Sequence, residues 1–547
     1  MLAHMKATAS SHKIDLGIMI LLAAVSLMVY WPALGHDFLS NWDDPYYVVN
    51  NDTTHGLSWA HLGAAFSRSY AGGYTPLPLV SYMLDFELWG LDATGYVLTN
   101  VVLHAANGLL LFLLLRRLFG RKPWTVATAL LFLLHPVQVE SVAWISERKN
   151  VLAMFFLLIT LTAYLWHRPP HAARSLRLCA ITLASFLMAL LSKSVAVVLP
   201  LFLVAIELCV LSGLPVVRRL RATLPLFALA GTFAAITVLT QSKAGIAEGY
   251  HGGSPFATVL TMLPILIMYV RMVLWPAGLS AWYDPPVRTE IDGVAVVSAG
   301  LILLLVLVGT WLFVRKRTLC CGYLIFFIGL LPVLQIIPLV TLIHDRYLYV
   351  PMLGAAVFLC RGLLERVAWD APLSARQGSA ALVVMGSIAM CVVVTRGRLD
   401  VWKNAETLWT DALRKSPGAP LPYGALADVA LDNCNPDSAG AFLQTAIALA
   451  AERAKKPGGD LVYTRLVAGF HVKLARVYEH KGRIDEAEAE LRSVLVDHPE
   501  NAVAHHNLGV LLWRKGDIAG GTNYLEAAVS LDPGNGVFLS DLDIARE

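Results

Sequence analysis

The sequence predicts an all-α chain: a polytopic membrane domain of about eleven transmembrane helices, followed by a helical-repeat solenoid. Three observations carry this expectation. Of 547 residues, 57% are hydrophobic and only 15% are charged, against roughly 25% charged in an ordinary soluble domain; the mean hydropathy is +0.61. The apolar runs stop after Arg396. Beyond that point two segments align at a 34-residue offset. This composition excludes a soluble enzyme and a disordered chain, and a net charge of +4 is too small for a nucleic-acid binder.

The membrane part covers 1–397 and the soluble tail 398–547. Lys6 and Lys13 precede the first apolar run, and Trp31-Pro32 follows it in place of a small-residue cleavage pattern, so the run is expected to be the first membrane helix with a cytoplasmic N-terminus. The expected spans are 14–34, 97–115, 124–139, 150–166, 177–193, 195–212, 222–240, 293–314, 322–341, 351–369 and 379–396. Basic clusters occupy alternate loops: Arg116/Arg117/Arg121/Lys122, Arg168/Arg174/Arg177, Arg218/Arg219/Arg221, Arg315/Lys316/Arg317 and Arg366/Arg376. Eleven spans put all of them in the cytoplasm. Residues 256–275 are long enough to span, but a further crossing would move every later basic cluster outside. Charge parity therefore predicts that this segment lies at the interface or is re-entrant. The tail and the loops 35–96, 140–149, 241–292 and 342–350 are then extracytoplasmic. Six of the seven cysteines lie in or beside apolar runs, where Cys behaves as a small hydrophobe, and there is no CxxC pair.

In the tail, Leu474, Ala475, Tyr478, Gly482, Ala487, Leu491 and Pro499 are followed by Leu508, Gly509, Leu512, Gly516, Gly521, Leu525, Ala528 and Pro533. This is tetratricopeptide spacing: small residues let paired helices approach, and Pro ends the second helix. Residues 402–417 and 420–449 read as weaker copies, and 536–547 as a capping helix. Such a stack docks a peptide in its groove, or serves as a lid or an oligomerisation surface.

The candidate site residues fall in the outer loops. "HDFLSNWDDPYYVVNN" carries Asp43 and Asp44, which suit a general base or a divalent metal ion, or a turn. "HPVQVESVAWISERKN" carries His135, Glu140, Glu147, Arg148 and Lys149; the two glutamates, seven apart, share a face if the segment is helical. "LIHDRYLYVP" carries His344, Asp345, Arg346 and Tyr347, with Arg346 suited to phosphate or to snorkelling. Lys193 in "LSKSVAVVLP" is a cation costly to leave unpaired near a membrane. Cations can hold a lipid phosphate as leaving group while a carboxylate activates an acceptor hydroxyl. A transporter would need charges deep in several spans or inverted repeats, and neither is evident. A non-enzymatic assembly factor working through its repeats is the remaining alternative.

"NWDDPYYVVNN", "TPLPLVSYMLDFELWGLDATGYVLTNVVLHAANGLLLFLLLRRL", "HPVQVESVAWISERKNVLAMFF", "SKSVAVVLP", "LWPAGLSAWYDPP" and "HDRYLYVPMLG", in this order and followed by the repeats, resemble the transmembrane and tetratricopeptide repeat containing family and its bacterial homologues. That family is similar to the protein O-mannosyltransferases and other GT-C glycosyltransferases. The resemblance implies a GT-C-type inverting transferase in a bacterial inner membrane, taking a sugar, mannose by analogy, from a polyprenyl-phosphate donor. Its acceptor would be Ser or Thr of a polypeptide docked at periplasmic repeats, or else a glycan or a lipid. Asp43 and Asp44 match the acidic pair, implying the catalytic base and its partner, with Glu140 as a further catalytic carboxylate. Asp345-Arg346-Tyr347 matches the late motif, implying lipid-phosphate contact. Arg148, Lys149 and Lys193 join Arg346 and Tyr347 as donor-phosphate ligands, supported by His135, Glu147, His344 and Asp345. Two segments depart from the pattern: "SKSVAVVLP" lacks the Lys-Pro of many relatives, and "GGYTPLPLVSYML" lacks their Trp-His, so the resemblance carries no His role over to that position.

Overall fold

The computed structural model describes residues 1–547 apart from Met1, 71–72, 167–175, 212–216, 218–220, 222, 244–248, 369–371, 373, 456–460 and 533–534. Arg168, Arg174, Arg218, Arg219 and Pro533 lie outside the described residues. The described residues are helical and contain no strand, only an isolated bridge between Tyr70 and Gly73. Two compact units form: Met1–Gly249 with Thr258–Asn404, and Tyr250–Ala257 with Ala405–Glu547.

In the first unit, six helices are long and apolar enough to cross a membrane: Lys13–Gly35, Ala93–Phe119, Ile145–Trp166, Pro255–Leu274, Gly293–Arg315 and Ala375–Val401. Pro123–Leu134 and Pro136–Ala143 make a broken seventh, bent by 48°. Pro136 cannot donate into the helix before it, and its ring clashes with the preceding turn. Shorter apolar helices run over Leu176–Ser192, Ser194–Cys209, Leu224–Thr240, Arg317–Val333 and Met352–Leu364. Apart from Pro255–Leu274, these correspond one for one to the eleven segments expected from sequence. Pro255–Leu274 is continuous and long enough to span. The helix Ala375–Val401 runs through residue 397, where the sequence reading ends the membrane part.

Helix ends follow local chemistry. Asp92 caps Ala93–Phe119 by accepting from Thr94 N at 2.9 Å, and Gly120 ends it at φ +76°. Arg116 and Arg117 fill its last turn, where cations favour the helix dipole. Contact between membrane helices relies on small residues. A Cβ at Gly354 would lie 2.5 Å from Gly322 O, and one at Gly322 would lie 2.8 Å from Phe358 N. Arg317–Leu330 and Met352–Leu364 therefore touch through their backbones.

The second unit is a stack of antiparallel helices: Ala405–Lys415, Pro420–Asp432, Pro436–Ala454, Leu461–His480, Ile484–Asp497, Ala502–Arg514, Ile518–Leu531 and Gly536–Arg546. Gly482 and Gly516, 34 positions apart in the repeat, both turn the chain at positive φ, +71° and +94°. Gly509 and Gly521 let successive helices meet, since a Cβ on Gly521 would sit 2.7 Å from Gly509 O. Ala475, Ala487, Leu491, Leu508 and Leu512 share one core, so the positions that revealed the repeat are the ones that pack it.

Adding bulk at Gly354 should overpack a crossing that cannot give way. Gly354→Val is expected to lose about 1–3 kcal/mol and to unfold at a clearly lower temperature in detergent. Gly386→Val, where nothing lies within 4 Å, should stay near wild type. Equal melting temperatures for the two variants would contradict the backbone contact.

Candidate active site

The site is built where residues 135–150 meet three other segments. After the break at Pro136, Val139–Ala143 forms a short helix, Trp144 is extended, and Ile145–Glu147 makes a 3-10 turn leading into Arg148–Trp166. Glu140 and Glu147 therefore do not share one continuous helix face, as the conditional sequence reading had them. They converge on Arg346 instead. Arg346 Nη1 lies 2.5 Å from Glu140 Oε1, and its Nε lies 3.7 Å from Glu147 Oε1. The Arg346 backbone N–H donates to Glu140 Oε2 at 3.0 Å.

Glu147 is almost fully buried and gathers further cations. Lys193 Nζ is 2.9 Å from Oε2 and Lys149 Nζ 3.5 Å from Oε1. Asn150 Nδ2 donates to Oε2 at 2.5 Å. A carboxylate removed from water needs such compensation, and three cations held close together need the carboxylate. Arg346, Lys149 and Lys193 keep 12, 13 and 20% of their side chains exposed, so all three reach the site surface.

The acidic pair splits into two tasks. Asp44 is fully buried: its Oδ2 accepts from Leu39 N at 2.9 Å, and its Oδ1 accepts from Ser146 N at 3.0 Å and from the Ser146 hydroxyl. Burial pushes its pKa up to about 6, while the hydrogen bonds from Ser146 and Leu39 pull the other way. Asp44 thus ties the loop around Leu39 to the turn at Ser146. Asp43 retains 31% side-chain exposure and meets Lys149 Nζ at 3.3 Å. Lys149 also sits 4.7 Å over the Tyr47 ring. Of the pair, only Asp43 keeps exposed side-chain surface.

Three expected members of the site are anchors. Arg148 was assigned to donor phosphate; the structure corrects this, because its side chain has no exposed surface. Its guanidinium pairs with Asp85 and donates to Asn100 Oδ1 and Ser81 Oγ, each at 2.8 Å, and to Tyr96 O at 2.6 Å. It clamps Pro76–Trp89 and Ala93–Phe119 to the start of its own helix. Burial raises the Asp85 pKa, opposed by Arg148. His135 sits at the Pro136 break with Nε2 3.0 Å from Val273 O. Asp345 is buried against Arg398 Nη2 at 3.5 Å and accepts from the Tyr283 hydroxyl. His344 is held neutral, well below its ordinary pKa, first by burial and then by Arg346; its Nδ1 lies 3.7 Å from Glu140 Oε1. The Tyr347 hydroxyl is 2.7 Å from Thr341 Oγ1, and its ring lies 5.5 Å from the Arg346 guanidinium.

Sequence reasoning missed Ser146, Asn150, Asp85, Tyr283, Arg398, Trp42, Trp144 and Trp402. Asp85, one of two acids with Glu87 in the largely apolar "PLPLVSYMLDFELW", was a readable signal. Arg398 had been placed at the start of the tail. The acidic residues do not suit a divalent metal ion: Asp43, Glu140 and Glu147 each face a Lys or Arg, and Asp44 is filled by three hydrogen bonds. Among the described residues no group of three or more His, Cys, Asp or Glu could hold one.

Removing Arg148 would strand a buried carboxylate, so Arg148→Met should cost about 3–5 kcal/mol in denaturation experiments. Lys193→Met should cost less, because Glu147 keeps Lys149 and Arg346 as partners. The native chain holds a proton on Asp44 up to a higher pH than the unfolded chain does. The stability from Asp44 is therefore greatest below about 4 and declines as pH rises to about 6. Asp44→Asn has no such proton to lose and should flatten that part of a Tm-against-pH profile; an unchanged slope would show that the burial effect is misassigned.

A tetratricopeptide repeat family model matches residues 472–536. Protein O-mannosyl-transferase tmtc2 of Xenopus laevis is 34% identical over 156 residues, covering 27% of this chain and 18% of the frog protein. Mouse protein O-mannosyl-transferase TMTC3 is 26% identical over 333 residues, 58% of this chain and 33% of the mouse protein. The chain thus spans a third or less of the length of these relatives. Among solved structures, ArnT from Cupriavidus metallidurans bound to undecaprenyl phosphate aligns over 89% of this chain and 80% of its own at 15% identity and a TM-score of 0.40. The chain is a multi-pass membrane protein with tetratricopeptide repeats, and part of it is similar to protein O-mannosyl-transferases such as tmtc2 and TMTC3.

Proposed function

We propose that the chain is a membrane glycosyltransferase that moves a sugar from a polyprenyl-phosphate donor to a Ser or Thr hydroxyl of an extracytoplasmic polypeptide. The observation that carries this reading is one partly exposed carboxylate, Asp43, in ion-pair contact with Lys149, which shares Glu147 with Lys193 and Arg346. The names of its relatives support mannose as the sugar.

In this mechanism the donor phosphate takes up Lys149, Lys193 and Arg346, with Tyr347 alongside. Asp43 accepts the proton of the acceptor hydroxyl as that oxygen attacks the sugar's anomeric carbon. The carbon–oxygen bond to phosphate breaks on the opposite face, and the electron pair leaves on the lipid phosphate, stabilised by the three cations. The configuration at the anomeric carbon inverts. Phosphate arrival also draws Lys149 away from Asp43, which frees the base only when a donor is present. Glu140 orients Arg346, and Asp44 holds the loop that presents Asp43. The repeats dock the acceptor polypeptide. The inner membrane of a bacterium, with the N-terminus in the cytoplasm, is the proposed setting.

Purified protein should release free polyprenyl phosphate from a polyprenyl-phosphate sugar when given a Ser/Thr peptide. Asp43→Asn should lower that turnover by at least about 10²-fold with an unchanged melting temperature. Wild-type turnover that persists in Asp43→Asn would sink the assignment of the base. A glycan or lipid acceptor would show as donor turnover that no peptide stimulates.

A further inference from the structure

Deepening that reading, we propose that Trp42 is the platform for the donor's sugar ring. The bond that breaks joins sugar to phosphate, so the ring must sit beside the phosphate cations and within reach of the base. Trp42 adjoins both in the structure, and its ring centroid also lies 6.4 Å from that of His344. It immediately precedes Asp43 in the chain, and its ring lies 5.9 Å from the Arg346 guanidinium.

Trp42 is backed by a rigid pile. Its ring centroid is 4.4 Å from that of Trp144 and 6.2 Å from that of Trp402, and the latter two lie 5.8 Å apart at 28°. Trp144 and Trp402 are 1% exposed, whereas Trp42 is half-buried. Arg346 also lies 5.3 Å from Trp144. The Trp42 amide donates to Leu39 O at 3.3 Å, closing the turn that Asp44 holds through Leu39 N. One ring therefore meets the site while two hidden rings prevent it from tilting.

The chemistry fits a pyranose. An indole face is negative at its centre and apolar, and a sugar presents a patch of slightly positive C–H groups between its hydroxyls. A flat support fixes the ring's orientation without using its hydroxyls, and a preorganised support costs little entropy on binding. The lipid tail and the phosphate do not need this surface. Trp42 therefore distinguishes a sugar-bearing lipid from the bare lipid phosphate that remains after transfer, and so favours product release.

The test compares binding of farnesyl phosphomannose and farnesyl phosphate to the purified full chain in detergent. Wild type should bind the sugar-bearing probe more tightly. Trp42→Ala should weaken that probe about tenfold and leave farnesyl phosphate within about twofold; Trp42→Phe should recover most of the difference. Equal weakening of both probes, or of neither, overturns the platform. A variant that changes only the KM for the acceptor peptide also overturns it, because Trp42 would then serve the acceptor. Wild type binding neither probe removes the donor reading itself, and this inference with it.

Discussion

Glu147 is the constraint around which the site is organised. It is a buried carboxylate at the head of an apolar helix, and it is kept there by Lys193, Lys149 and Arg346. These three cations come from separate parts of the chain and would repel one another without it. An ion buried in this way is stable only when its partners are correctly placed. Glu147 therefore fixes where the segment after Leu176–Ser192, its own 145–149 segment and the 344–347 turn can lie. Glu140 repeats the principle on Arg346 alone.

A second clamp sets the rigid floor beneath it. Arg148, the next residue, is engaged entirely by Asp85, Asn100, Ser81 and Tyr96. Adjacent residues thus divide the work: Glu147 collects charges that reach the surface, and Arg148 locks helices that do not. Asp43 and Asp44 divide it in the same manner. In both pairs one side chain is fully committed to packing, and its neighbour holds a geometry it could not keep alone.

The site residues were legible as a set because charge is scarce in this chain. Asp43, Glu140, Lys149, Lys193 and Arg346 stood out against apolar runs, and the structure brings them together. Their individual roles were not legible. Nothing in "ISERKN" distinguishes the arginine that clamps helices from the lysine that meets Asp43. That difference arises from the start of the Arg148–Trp166 helix, which turns consecutive side chains in different directions. Trp402 and Arg398 were hidden for another reason: they follow the last apolar run and read as the start of a soluble tail.

Local rules in the sequence were enough to predict the helical class, the apolar helices and the repeats. Apolar length and a 34-residue period are both properties of neighbouring residues along the chain. The partners of each buried ion were decided only by tertiary structure. Arg346 meets Glu140 across 206 positions, and Ser146 meets Asp44 across 102. Hydropathy and periodicity report which face a residue occupies. They carry no information about which distant charge will satisfy it, because that depends on how the broken helix at Pro136 and the loops around it are packed.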